Sequence, residues 1–250
     1  MQLALVWFRD DLRLDDNPAL RAAVERDYLP LPVYVHAPQE EGEWAPGAAS
    51  DAWRRHALTR LDAALRARGS QLLVLQGDSL RCLQQLADRV GAEAVFWNRR
   101  YEPAIEQRDT TIKRTLRQSG LHAESFNGAL LFEPWELATK QGDPYKVFTP
   151  YWKTARASWR TPRLWDAPDR LPSPAALDLP ESTTIDAILP APSPAWDSGF
   201  WQRFTPGEEG ARAALSRFVG DVLTGYDASR DVPSVRGTSR LSPHLHFGEL

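Results

Sequence analysis

The stretch from Gly225 to Leu250, GYDASRDVPSVRGTSRLSPHLHFGEL, gathers side chains that could meet a polyanion. Arg230, Arg236, Arg240, His244 and His246 stand among small hydroxyl residues and the turn formers Pro233, Gly237 and Pro243. Thr238, Ser239 and Ser242 add hydroxyls and backbone N–H groups at an expected helix start, where orphan donors and the positive end of the helix dipole favour phosphate. An N-cap in a solvated charged loop accounts for the same hydroxyl residues, so composition alone leaves both readings open. Leu241, Leu245 and Phe247 resemble the opening turns of an unfinished helix, and the chain is expected to stop inside a domain.

Other familiar chemistry finds little support. His244 and His246 alternate without further ligands, so no metal site is expected. The single cysteine, Cys82, lies at an apolar position of a helical pattern; it excludes an internal disulfide and reads as a small buried hydrophobe. There is no GxSxG elbow, no GxGxxG fingerprint and no Walker sequence. Carboxylates come in adjacent pairs (Asp10 and Asp11, Asp15 and Asp16, Glu40 and Glu41, Glu208 and Glu209), but adjacency does not place two of them at one reacting centre.

The elements that must position these residues follow from hydrophobic periodicity. Strands are predicted at Leu3–Phe8, Leu29–His36, Gln71–Gln76, Ala94–Trp97 and His122–Phe126. Helices between them are predicted from Ala19 after an Asn17 cap and a first-turn Pro18, from Ser50 or Asp51, after an Asp78 cap, and over Pro103–Arg117. Five alternations with short connections predict a doubly wound five-stranded parallel α/β sheet. In the order 3-2-1-4-5 a ligand crevice lies beyond the carboxyl ends of strands one and four, between the loops Phe8–Arg13 and Asn98–Pro103. Both loops are rich in Arg and carboxylate, which fits a ligand site at the switch point and solvated loop residues alike.

From Phe132 the pattern changes to aromatic and basic interleaving around YKVFTPYWK, expected to be an amphipathic helix docked on its neighbour. Residues 161–206 are proline-rich and aperiodic, as in an interdomain connector. A helical period returns over Gly207–Leu223, with Gly225 in the C′ position. The 250 residues carry 42% hydrophobic and 25% charged side chains, ordinary for a soluble globular protein. A net charge of -3 means that any nucleic acid must be met by a local patch. No run reaches the roughly 18 apolar residues of a membrane span, and the N-terminus lacks the basic region of a signal peptide. Cytoplasmic residence is the default expectation.

Four collinear segments, LVWFRDDLRLDDNPAL, NRRYEP, YKVFTPYWK and GYDASRD…GTSRLSPHLHFGEL, resemble the photolyase and cryptochrome family, most of all the N-terminal portion of a bacterial class I deoxyribodipyrimidine photolyase. The resemblance implies a Rossmann-like α/β antenna domain over residues 1–133, a connector over 134–206 and, over 207–250, the start of an all-helical FAD domain. It places Tyr226 beside the flavin and gives Thr238, Ser239, Arg240, Leu241 and Ser242 the FAD pyrophosphate. Arg230 would face the DNA backbone. Catalytic residues are expected beyond Leu250, and the 250-residue chain alone is expected to be inactive and not to retain FAD.

The implied activity is light-dependent repair of cyclobutane pyrimidine dimers by photoexcited reduced FAD, with damaged DNA as partner and a monomeric enzyme. The alternative is a blue-light photoreceptor without repair activity. The resemblance puts Arg9, Asp10, Arg100 and Glu102 at the crevice where pigments of the family sit, and the crevice would take methenyltetrahydrofolate or a deazaflavin as antenna pigment, or none. Glu102 matches a pigment-contacting acid of the deazaflavin binders, but Arg100 stands where those binders carry an acid and His246 where they carry a lysine. Ala104 and Ile105 replace the Asn-Glu pair of folate binders.

Overall fold

A computed structural model describes residues 2–174 and 177–250. Strands β1 (Leu3–Phe8), β2 (Leu29–His36), β3 (Leu73–Gln76), β4 (Ala92–Asn98) and β5 (His122–Phe126) form one sheet in the order β3-β2-β1-β4-β5. Every pairing is parallel. Helices α1 (Pro18–Glu25), α2 (Ala48–Ala67), α3 (Ser79–Val90) and α4 (Pro103–Gln118) make the crossovers. All six residues of β1 are buried, because a central parallel strand is covered on both faces. Ala4, Val6 and Phe8 pack with α1 and α2 on one face, while Leu3, Leu5 and Trp7 pack with α3 and α4 on the other.

The caps follow the local chemistry. Asn17 accepts a hydrogen bond from the Leu20 amide at 3.1 Å ahead of Pro18, and Asp78 accepts one from the Arg81 amide at 2.8 Å. Helix α2 begins at Ala48 behind Gly47, earlier than the Ser50 or Asp51 cap predicted from the sequence, and no side chain caps it. β3 is shorter than predicted and β4 longer by two residues at its start and one at its end.

Beyond β5 come α5 (Phe148–Ser158) and the single turns α6 (Ile185–Ile188) and α7 (Ser198–Trp201). The expected docking of α5 is not seen: only Ala155 is buried, while Phe148 is 70% and Trp152 46% exposed. These two rings stack on each other instead, at 6.2 Å. The proline-rich segment is laid along the sheet rather than free of it. Leu171, Ile188 and Leu189 enter the core, and the Thr183 amide donates to the Val74 carbonyl at 3.1 Å, covering the β3 edge.

Helix α8 (Glu208–Arg217) runs into a π turn (Phe218–Val222), a 3-10 turn (Leu223–Gly225) and then α9 (Tyr226–Ser229). Gly225 therefore does not end the helical run as expected: its φ of -98° is not left-handed, and the tight and wide turns before it absorb the bend. The closing helix α10 (Ser242–His246) is also not left open. It stops where Gly248 turns at φ +60°, and the Glu249 amide donates back to the His244 carbonyl at 2.8 Å. No helix among the described residues is long and apolar enough to cross a membrane.

Candidate functional site

Gly237 starts the candidate phosphate loop because nothing larger fits there. A Cβ on it would lie 2.4 Å from the Ser229 Cβ and 2.5 Å from the Ser229 carbonyl oxygen, so the loop crosses α9 in close contact. Thr238, Ser239, Arg240, Leu241 and Ser242 then line a cavity of about 450 Å³, together with Arg203, Phe204 and Leu245. Arg240 sits at φ +56° and Leu241 at φ -85°, ψ -7°. A left-handed residue followed by a right-handed one is the kind of backbone turn that builds anion nests, with the Leu241 amide here directed to the Ser239 hydroxyl. The Ser239 hydroxyl accepts from the Leu241 amide at 3.4 Å, and Arg217 donates to the Ser239 carbonyl at 3.4 Å, bracing the loop from α8.

Tyr226 does not line this cavity. Its ring meets Phe218 edge-on at 5.9 Å, and the Arg230 guanidinium lies 5.7 Å from its centroid. Arg230 is exposed, and its guanidinium pKa is raised chiefly by Asp231 and then by Tyr226. Arg203 and Phe204, which the sequence reading missed, come from the turn after α7 and join the site only through the fold.

The other candidate site is the crevice between the β1 and β4 loops. Arg9 is buried, donating to Asp109 at 2.6 Å and to the Asn98 carbonyl, and burial lowers its pKa against the opposing pull of Asp109. Asn98 ties the two loops together. Its amide donates to Asp11 at 2.6 Å and Asn17 at 2.9 Å, while its oxygen accepts from the Ala19 amide at 3.1 Å. Burial raises the Asp11 pKa although the Arg9 amide and Asn98 oppose it.

Arg9, Asp10 and Arg100 line the crevice with Tyr34, His36, Glu41 and Arg54; Glu102 does not line it but holds Arg100 from outside at 2.8 Å. The remaining cavity is about 30 Å³. Asp10 pairs with both Arg54 and Arg100 at 3.2 Å. Burial alone would raise the Asp10 pKa, but the two guanidiniums outweigh it and hold the carboxyl below its ordinary range. Glu102 is likewise lowered, its burial outweighed by Arg100, and the Arg100 pKa is raised because its carboxylate partners, Asp10 foremost, outweigh burial. The adjacent glutamates Glu40 and Glu41 separate as anticipated, Glu40 reaching Ser79 and Arg108 and Glu41 reaching Arg100.

The two sites are joined by the end of the chain. The Leu12 amide donates to the Phe247 carbonyl at 3.0 Å and Arg13 to the Gly248 carbonyl at 3.1 Å. His244 Nδ1 lies 2.5 Å from Glu249, whose other oxygen accepts from Trp53 Nε1 at 2.9 Å, and all three residues are buried. Phe247 stacks on Trp53 at 5.9 Å. His246 is close enough for its charge to help lower the Asp10 pKa. Among the described residues no cluster of His, Cys, Asp or Glu is arranged to hold a metal ion.

The DNA photolyase family model matches residues 4–175. A deoxyribodipyrimidine photo-lyase of Agrobacterium fabrum is 41% identical over 246 residues, covering 98% of this chain and 50% of its own length. Cryptochrome-2 of Arabidopsis thaliana is 35% identical, covering 98% of this chain and 41% of its own length. The crystal structure of a bacterial class III photolyase from Agrobacterium tumefaciens superposes with a TM-score of 0.94 at 40% identity, over all of this chain and 51% of that one. The chain thus spans about half the length of the curated relatives it matches. With the family model matching more than half of its residues and this extent of identity and superposition, the chain belongs to the DNA photolyase family.

Proposed function

We propose that this chain provides the α/β domain and one wall of the flavin-phosphate site of a protein that repairs cyclobutane pyrimidine dimers in DNA under light. The observation that carries the reading is the Thr238–Ser242 cavity, where hydroxyls, a nest-type backbone turn and Arg203 and Arg240 converge as a pyrophosphate donor set. The donor set fits FAD, which when bound and reduced supplies the photoexcited electron for dimer splitting. Thr238, Ser239 and Ser242 hold the pyrophosphate and fix the cofactor's orientation. Gly237 brings them close to α9, and Arg217 fixes the loop from behind. The exposed Arg230 meets the DNA backbone. A dimer must leave the base stack to approach a flavin enclosed in protein, and the lesion lowers the cost of that step.

The relative from Agrobacterium fabrum, named a deoxyribodipyrimidine photo-lyase and 41% identical, supports repair. A cryptochrome-type photoreceptor is the second reading, favoured by the 35% identity to Cryptochrome-2 over the same residues. Repair predicts that a dimer-containing oligonucleotide loses its dimers when illuminated with the protein carrying reduced FAD. Dimers that persist despite bound reduced flavin overturn repair and leave the photoreceptor reading. On the same proposal these 250 residues supply one wall of the flavin site, so the purified chain by itself is expected to be colourless; a flavin absorption spectrum contradicts that expectation.

A further inference from the structure

We infer that the Pro38–Trp44 segment is a built-in stopper for the crevice between the β1 and β4 loops, so that this crevice carries no antenna pigment. The segment follows β2 and is fixed by two adjacent carboxylates pointing to different elements. Glu40 accepts from the Ser79 amide at 2.6 Å and the Ser79 hydroxyl at 2.7 Å at the start of α3, and pairs with Arg108 of α4 at 3.0 Å. Glu41 enters the crevice and meets both terminal nitrogens of Arg100, at 3.1 and 3.2 Å. One prong holds the segment down and the other fills the site.

A pigment would need space and unpaired guanidinium donors, and the crevice offers little of either. Arg100 also donates to Glu102 at 2.8 and 3.3 Å and forms an ion pair with Asp10 at 3.2 Å, so most of its guanidinium fork is engaged by carboxylates of this chain. Arg54 is committed to Asp10 at 3.2 Å and Asp51 at 3.6 Å. The free volume of about 30 Å³ suits water rather than a tricyclic or pterin ring, whose sites occupy roughly 300–1,000 Å³. An anionic pigment entering here would displace Glu41 and leave a desolvated carboxylate to be placed elsewhere. The inference requires neither flavin binding nor repair, so the failure of either leaves it intact.

Hydrogen–deuterium exchange on the full chain tests it, with 8-hydroxy-5-deazariboflavin, FMN and methenyltetrahydrofolate as probes. None of the three is expected to change exchange over residues 36–44 or 98–102, even where a probe binds elsewhere on the chain. The double variant Glu40→Gln/Glu41→Gln is expected to exchange about tenfold faster over 38–44, with β1 and β4 unchanged. Protection of either segment by a probe in the unsubstituted chain overturns the inference, as does unchanged exchange over 38–44 in the double variant. If that variant fails to fold, Glu41→Gln alone removes the prong inside the crevice and is read in the same way.

Discussion

Gly248 and Asp10 approach so closely that a Cβ on the glycine would stand 2.3 Å from the Asp10 carbonyl oxygen and 2.6 Å from the Asp11 Cα. The last turn of the chain therefore rests directly on the first loop. Gly248→Ala combines a left-handed backbone with a backbone clash and is expected to lower stability by at least about 2 kcal/mol in urea unfolding. Gly142→Ala is the control. It has φ +88° and open space around the added carbon, so it is expected to cost only about 1 kcal/mol of backbone strain.

Asn98 satisfies Asp11, Asn17 and the Ala19 amide at once. Asn98→Ala removes the short side-chain bond to the buried Asp11 carboxylate and leaves it the Arg9 amide and a long 3.4 Å bond from Asn17, an expected loss of about 3 kcal/mol by chemical denaturation. A loss under about 0.5 kcal/mol would show that the network contributes little.

Trp53→Phe keeps the aromatic face against Phe247 but removes the donor to Glu249. The expected cost is about 1–3 kcal/mol, the penalty for a buried acceptor losing a partner. Amide exchange at Phe247–Glu249 should rise at the same time, which separates this effect from a general loosening of α2.

Two histidines set the response to mild acid. Burial and then Arg54 lower the pKa of His36, and burial and then Arg55 lower that of His56, both from 6.5. The fold favours the neutral rings, while the unfolded chain takes up protons as pH falls through 6.5. Stability is thus expected to decline below pH 6.5 until the folded pKa values are passed. His36→Asn with His56→Asn should flatten that decline between pH 7.5 and 5.5. A slope unchanged by both substitutions assigns it to other groups.

Arg240→Gly keeps the left-handed φ without side-chain strain, so stability should stay within about 1 kcal/mol. Inorganic pyrophosphate is expected to raise the melting temperature of the parent chain and to do so less for this variant. An equal rise in both would remove Arg240 from the phosphate site.

The α/β half was legible because its signals are local. Continuous apolar runs marked the strands, Asn17, Pro18 and Asp78 marked the helix starts, and right-handed crossovers limited the order. The sequence also brought Thr238 to Ser242 together, since five consecutive residues share a cavity whatever the rest does. Contacts between distant segments were not legible. Glu41 looks like any surface glutamate until the segments after β2 and β4 meet across the end of β1, and Glu249 reads as solvent-exposed until Trp53 and His244 enclose it. Gly225 misled because a helix can tighten and widen through a glycine instead of ending there.

The buried seat of Phe247 and Glu249 makes the molecule a clasp as well as a chain. Its final turn is held by Leu12, Arg13 and Trp53 through contacts that do not depend on the covalent path through residues 134–165. A protease nick in that exposed aromatic segment would then leave two pieces that still travel together on a sizing column. The peptide link there serves to bring the halves together, and the clasp keeps them joined.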